Sequence, residues 1–129
     1  ARLRVPSECK ELAEVVAREH GNIHRSAELG PEAVMRLLTR CDALRQPERF
    51  ALVLQACEAD ARGRLGCQDT PYPQAPRLAL ALHAAQSVVT ADIAGQAAQE
   101  GLQGPQIGQR IEAARTNAIA AVLANQPHP

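Results

Sequence analysis

Apolar positions recur along this chain with a helical period, and prolines and glycines cut the pattern into about six segments. Val34, Leu37, Leu38 and Cys41 follow Pro31 at i, i+3, i+4, i+7, and Phe50, Val53, Leu54 and Cys57 repeat that spacing after Pro47. Proline in a first helical turn loses only an N–H that has no partner there, so each stripe predicts a helix opening at its proline. A first helix starts near Ser7, an N-cap residue type, carries Cys9, Leu12, Val15 and Val16 to one side, and should stop near Gly21 and Asn22. The stretch 63–76 holds two glycines and three prolines and reads as a loop. A fourth helix covers about 77–88 with Leu78, Leu82 and Ala85 inward, and a fifth runs from a Thr90 cap to Gly101, a natural C′ position. Pro105 opens a sixth, striped by Ile107, Ile111, Ala114, Ala118 and Val122. No stretch alternates with period two, so the fold class is all-α, a compact helical domain.

At 129 residues the chain can bury a single core without staples. Phe50 and Tyr72 are the only aromatics, so Leu, Val, Ile and Ala must fill that core with closely spaced helices. Fourteen basic and fourteen acidic residues cancel, and any attraction for phosphate must therefore come from local patches. Thirteen of the basic residues are arginine. Cys9, Cys41, Cys57 and Cys67 include no C-x-x-C spacing; they read as buried reduced thiols rather than zinc ligands or a disulfide framework. No apolar run reaches membrane-spanning length, so no membrane is expected and the cytoplasm is the default location.

Candidate chemistry is sparse. Glu58 and Asp60 sit at the margin of the third helix's apolar stripe, and buried-edge carboxylates need partners. Arg62 and Arg64 lie at i+4 in the favourable acid-first order, so Glu58, Asp60, Arg62 and Arg64 read as a structural ion-pair network, reaching to Arg36 or Arg40 of the preceding helix, rather than as acid–base machinery. His20 and His24 are four apart, as metal ligands on one helix face would be, but Gly21 and Asn22 are expected to interrupt that helix and no third ligand is evident. The run GLQGPQIG (101–108) links two helices and can expose backbone N–H groups to a phosphate.

Several of these pieces form a series. RLRVP (2–6), the E-H-x-x-I-H spacing of Glu19, His20, Ile23 and His24, D-A-x-R-x-P-x-R (42–49), EADARGR (58–64) and YPQ (72–74) occur in this order, followed by a late Gly-x-x-Gly step. In this the chain resembles the bacterial multifunctional CCA-adding enzymes, tRNA nucleotidyltransferases that build and repair the 3′-CCA end of tRNA, with EADARGR the most specific piece. That family carries an Asp-x-Asp metal pair in an N-terminal head and a His-Asp dyad for phosphohydrolysis. Neither occurs here, since the four histidines precede Gly21, Arg25, Ala84 and Pro129.

The resemblance implies a C-terminal fragment: residues 1–42 as the last helices of an HD domain and 43–129 as a helical tail that holds the tRNA body. It implies no catalytic residue, metal or cofactor in the fragment. The parent would use Mg2+, ATP and CTP, and a divalent metal in the HD domain. Partners would be tRNA and the missing head and HD domains, with a homodimer possible. Arg45, Arg49, Arg62, Arg64, Arg110 and Arg115, outside the buried stripes, are the candidate RNA-binding residues and should converge on one face. An autonomous phosphohydrolase and a helical interaction or dimerisation module are the other classes.

Overall fold

The computed structural model describes residues 7–64, 66 and 69–124. Among them are six α-helices, α1 (Ser7–His24), α2 (Pro31–Arg40), α3 (Pro47–Arg62), α4 (Gln74–Gln86), α5 (Thr90–Gln99) and α6 (Gly104–Ala124), with one 3-10 turn at Ser26–Glu28 and no strand. RLRVP, Leu65, Cys67, Gln68 and residues 125–129 lie outside the described residues.

Helix α1 packs along α3, while α6 packs on α4 and, less extensively, on α2 and α5. Contacts of α3 and the 3-10 turn with α4 join the two groups. The core is one cluster that runs through both, and Ile23, Val34, Leu37, Leu38, Phe50, Val53, Leu78 and Ile119 are closed to solvent. Each such side chain contributes about 1.5–3 kcal/mol by leaving water. Packing is therefore continuous across residue 42.

The connection from α2 to α3 accounts for Asp42, Ala43, Pro47 and Arg49 of D-A-x-R-x-P-x-R. Asp42 has φ 54, the left-handed conformation of a helix C′ residue. Its N–H donates to the Thr39 carbonyl at 3.0 Å, and Ala43 N–H donates to the Leu38 carbonyl at 2.9 Å, a Schellman turn. Ala43 is buried beside Leu38 in the core, Pro47 opens α3, and Arg49 donates back to the Cys41 carbonyl at 3.1 Å. Helix α5 ends the same way: Gly101 has φ 81, and Leu102 N–H reaches the Ala97 carbonyl at 3.1 Å.

Several boundaries differ from the sequence reading. Helix α1 continues through Gly21 and Asn22 to His24, because Ile23 is a core residue and the Asn22 amide is held by Glu19 at 3.0 Å. Cys9 is exposed; the inward line of α1 is Val15, Glu19 and Ile23. Helix α4 starts at Gln74, three residues before Arg77, which puts Pro76 in the first turn, where its missing N–H costs nothing. Thr90 is the first residue of α5, after an N-cap Val89 that supplies no side-chain bond. On α6 the fully buried residue is Ile119, and the stripe of Ile107, Ile111, Ala114, Ala118 and Val122 is only half-buried.

Candidate functional site

The end of α1 presents His24 to two distant segments. Its Nε2 lies 3.0 Å from Asp60 Oδ2 on α3, and its Nδ1 lies 2.7 Å from the Tyr72 hydroxyl in the loop before α4. A carboxylate only accepts, so a neutral His24 carries its proton on Nε2 and takes the Tyr72 O–H at Nδ1. Burial, then the neighbouring Cys57, Asp60 and Glu58, push the Tyr72 phenol up, which keeps it a donor. The Gln74 amide donates to the His24 carbonyl at 2.7 Å, and the His20 ring meets His24 edge-on with centroids 5.8 Å apart. The histidine pair, Asp60 of EADARGR, and Tyr72 and Gln74 of YPQ thus meet at one point.

A second polar knot lies one helical turn earlier. Glu19 is 2% exposed, and its carboxylate accepts from Arg18 Nε at 3.1 Å, Asn22 at 3.0 Å and Arg40 Nε at 3.2 Å. Burial alone would raise this carboxyl, but the bonds from Asn22, Arg18 and Arg40 and the Arg40 charge outweigh it and hold Glu19 below the ordinary carboxylate range. Arg40 is therefore the partner of Glu19, not of Glu58 or Asp60. The sequence marks Glu19 only as part of the E-H-x-x-I-H spacing, although an acid at i+4 from Val15 and i−4 from Ile23 stands on an apolar line and must be paired.

Glu58 lies 3.0 Å from Arg62, whereas Asp60 is 3.8 Å from Arg64 and has His24 as its nearer partner. Arg62 also donates to the Thr70 carbonyl at 3.3 Å. Arg49 bonds Glu11 at 3.3 Å, Arg110 makes a two-pronged contact with Glu100 at 2.6 and 3.3 Å, and Arg45 lies 3.5 Å from Asp42. Arg115 has no ion pair or hydrogen bond among the described residues, and its buried Nε has no acceptor. Arg62 and Arg64 line one cleft with His24 and Tyr72, about 320 Å³ in volume. Arg45 and Arg115 line another, of about 460 Å³, between α2 and α6. Arg49 lies in a groove with Leu12 and Leu52, and Arg110 faces α5.

His20 and His24 share a face, yet both His24 ring nitrogens are engaged, and His20 Nδ1 lies 3.1 Å from the Val16 carbonyl. Among the described residues no three His, Cys, Asp or Glu side chains are grouped to hold a metal. Cys41 and Cys57 are free and buried; burial, then Glu19, pushes the Cys41 thiol up to about 12, and burial, then Asp60, pushes Cys57 up to about 11. Such thiols stay protonated and inert at neutral pH. In the 101–108 turn the Gln103 N–H is taken by the Gln106 side chain at 2.9 Å, leaving fewer donors for an anion.

The described residues thus form an all-helical domain braced by polar junctions at His24 and Glu19, with several arginines on its surface. The chain is 64% identical over 126 residues to the multifunctional CCA protein of Paracidovorax citrulli, 61% over 128 residues to that of Polaromonas naphthalenivorans, and 53% over 121 residues to that of Leptothrix cholodnii. These matches cover 98%, 99% and 94% of the chain but 30%, 30% and 29% of the relatives, so the chain spans under a third of the proteins it resembles. It matches the C-terminal part of multifunctional CCA proteins. No family model and no solved structure matches it.

Proposed function

We propose that this chain is the C-terminal, tRNA-positioning part of a CCA-adding tRNA nucleotidyltransferase and contributes no catalytic group. The observation that carries this reading is the similarity to multifunctional CCA proteins over nearly the whole chain. In it, residues 1–42 close the HD domain and 43–129 form the tail; Mg2+, ATP, CTP and the HD-domain metal belong to the upstream domains, and the working place is the cytoplasm. No single helix among the described residues is long and apolar enough to cross a membrane. The helices offer a firm platform, and surface guanidinium groups suit phosphate as planar, multi-donor cations.

Protein contact has support at a different place. Leu52 on α3 is 48% exposed and borders a groove lined by Cys9 and Leu12. This face suits the upstream domains of the same protein, or a second copy.

The test is a titration of labelled tRNA with the 129-residue chain. Binding should be weak, insensitive to tRNA sequence and progressively lost as salt rises, because neutralised phosphates release counterions. Absence of binding at low salt would end the tRNA reading for this segment. Incubation with tRNA, ATP, CTP and Mg2+ should add no nucleotide.

A further inference from the structure

The cleft between α2 and α6 holds the least engaged of the candidate arginines; Arg49 also has a buried Nε without a partner, but its other nitrogens are held by Glu11 and the Cys41 carbonyl. Arg62 is shared between Glu58 and the Thr70 carbonyl, and Arg110 is locked to Glu100. Arg115 has no partner among the described residues, and its Nε–H is out of water with nothing to receive it. That Nε–H is sealed and is not itself the contact; the outer guanidinium nitrogens, which make no bond among the described residues, are the donors an external acceptor can reach. Across the cleft stands Arg45, whose side chain is 79% exposed and whose contact with Asp42 is a loose 3.5 Å. The first residue of α5, Thr90, lines the same space, and that helix has no side-chain cap to occupy its opening N–H groups. The floor is apolar, formed by Met35, Leu38 and Ile111.

From this we infer that the cleft seats one backbone phosphate of RNA, gripped by Arg115 and Arg45. The assignment rests on the tRNA reading above and narrows it to one place. Asp42 and Glu112 also line the cleft, so its formal charge is balanced. The seat therefore works at short range, through directed N–H donors rather than a long-range field, and its acids tune it downward. Glu112 opposes the ligand, whereas a purely structural Arg115 would be indifferent to it. Gly108 forms part of the wall, and a Cβ placed there meets nothing within 4 Å, so a side chain can be added at that position without a clash at its base.

The experiment uses the 15N-labelled chain and follows its arginine Nε–Hε resonances during separate titrations with inorganic phosphate and with tRNA at low salt. The Arg115 signal should move with both. Arg115→Gln should weaken binding on the order of tenfold, the usual cost of a charge-assisted bond, and Gly108→Leu should do the same with both arginines intact. Glu112→Gln should tighten binding, about twofold. Circular dichroism and melting of each variant confirm that it is folded. A phosphate titration that leaves Arg115 unmoved overturns the seat. If tRNA binds but only Arg62→Gln with Arg64→Gln weakens it, the seat is wrong and the tRNA reading stands. If phosphate moves Arg115 and tRNA does not bind, the assignment to RNA falls together with the tRNA reading.

Discussion

The His24 junction and the Arg115 cleft use similar residue types to opposite ends. At the junction every ring nitrogen of His24 is matched, Asp60 is its acceptor and Tyr72 its donor, and the three segments that meet there are held by those bonds. In the cleft the arginines are barely engaged: Arg115 makes no bond among the described residues and Arg45 only a 3.5 Å contact, while each region holds one buried atom without a partner, Gln74 Oε1 at the junction and Arg115 Nε beside the cleft. Polar groups that have satisfied one another stabilise; polar groups left waiting are available to a ligand. The recognisable runs, E-H-x-x-I-H, EADARGR and YPQ, converge on the His24 junction. Arg115, the least committed of the six candidate arginines, stands in a stretch of α6 that no motif marks.

The sharpest way to break this contrast is to remove Glu19. Glu19→Ala leaves Arg18 and Arg40 without their shared acceptor and should cost about 2–3 kcal/mol at neutral pH, read by urea unfolding. The sign with pH follows from the depressed carboxyl. Its stabilisation is complete above the unfolded carboxylate pKa of about 4.3 and is lost as pH falls through the lower folded value. The wild type should therefore approach the variant in stability as the solution is acidified below that point. A difference that persists unchanged in acid would mean that Glu19 acts by packing alone.

The junction itself should come next. His24→Ala deprives Tyr72 and Asp60 of a partner at once and should lose about 2 kcal/mol, and Tyr72→Phe, which deletes one hydroxyl, about 1 kcal/mol. The two losses should not add, because they share the 2.7 Å bond. Neither substitution should change affinity for tRNA by more than the fraction unfolded explains. Additive losses, or a tRNA defect in a fully folded Tyr72→Phe, would turn the junction from brace into binding site.

How far the chain could be read in advance depended on distance along it. Helices α2 and α3 were legible because a proline and an i, i+3, i+4, i+7 stripe are local signals, and Glu58 meets Arg62 within one helical turn. Gly21 and Asn22 look like a stop, yet α1 continues, because burial of Ile23 is decided by partners elsewhere in the chain. Pro76 looks like the end of a loop but is tolerated in the first turn of α4. The bonds that make the sites join residues far apart, His24 to Asp60 across 36 positions and Arg40 to Glu19 across 21, and no periodicity encodes them. The Arg45–Arg115 cleft is likewise a product of α6 lying on α2, which was not visible before the packing was known.

The smallest expected effect is on the other side of the comparison, and it is the most discriminating. Arg115→Gln keeps most of the aliphatic stem, which carries the residue's packing, and removes the guanidinium. Because that group makes no bond within the described residues, stability should change by under about 0.5 kcal/mol, or rise slightly if the unmatched Nε–H is a net cost. Arg45→Gln should be equally silent, since its contact with Asp42 is exposed. Measured beside His24→Ala, these variants should form a cross: the junction variant unfolds earlier and binds tRNA normally once folded, while the cleft variants melt with the wild type and bind less. A loss of more than about 1 kcal/mol in Arg115→Gln would mean that the guanidinium already has a structural role. The contrast between a satisfied brace and a waiting site would then be lost, since both regions would be doing the same job.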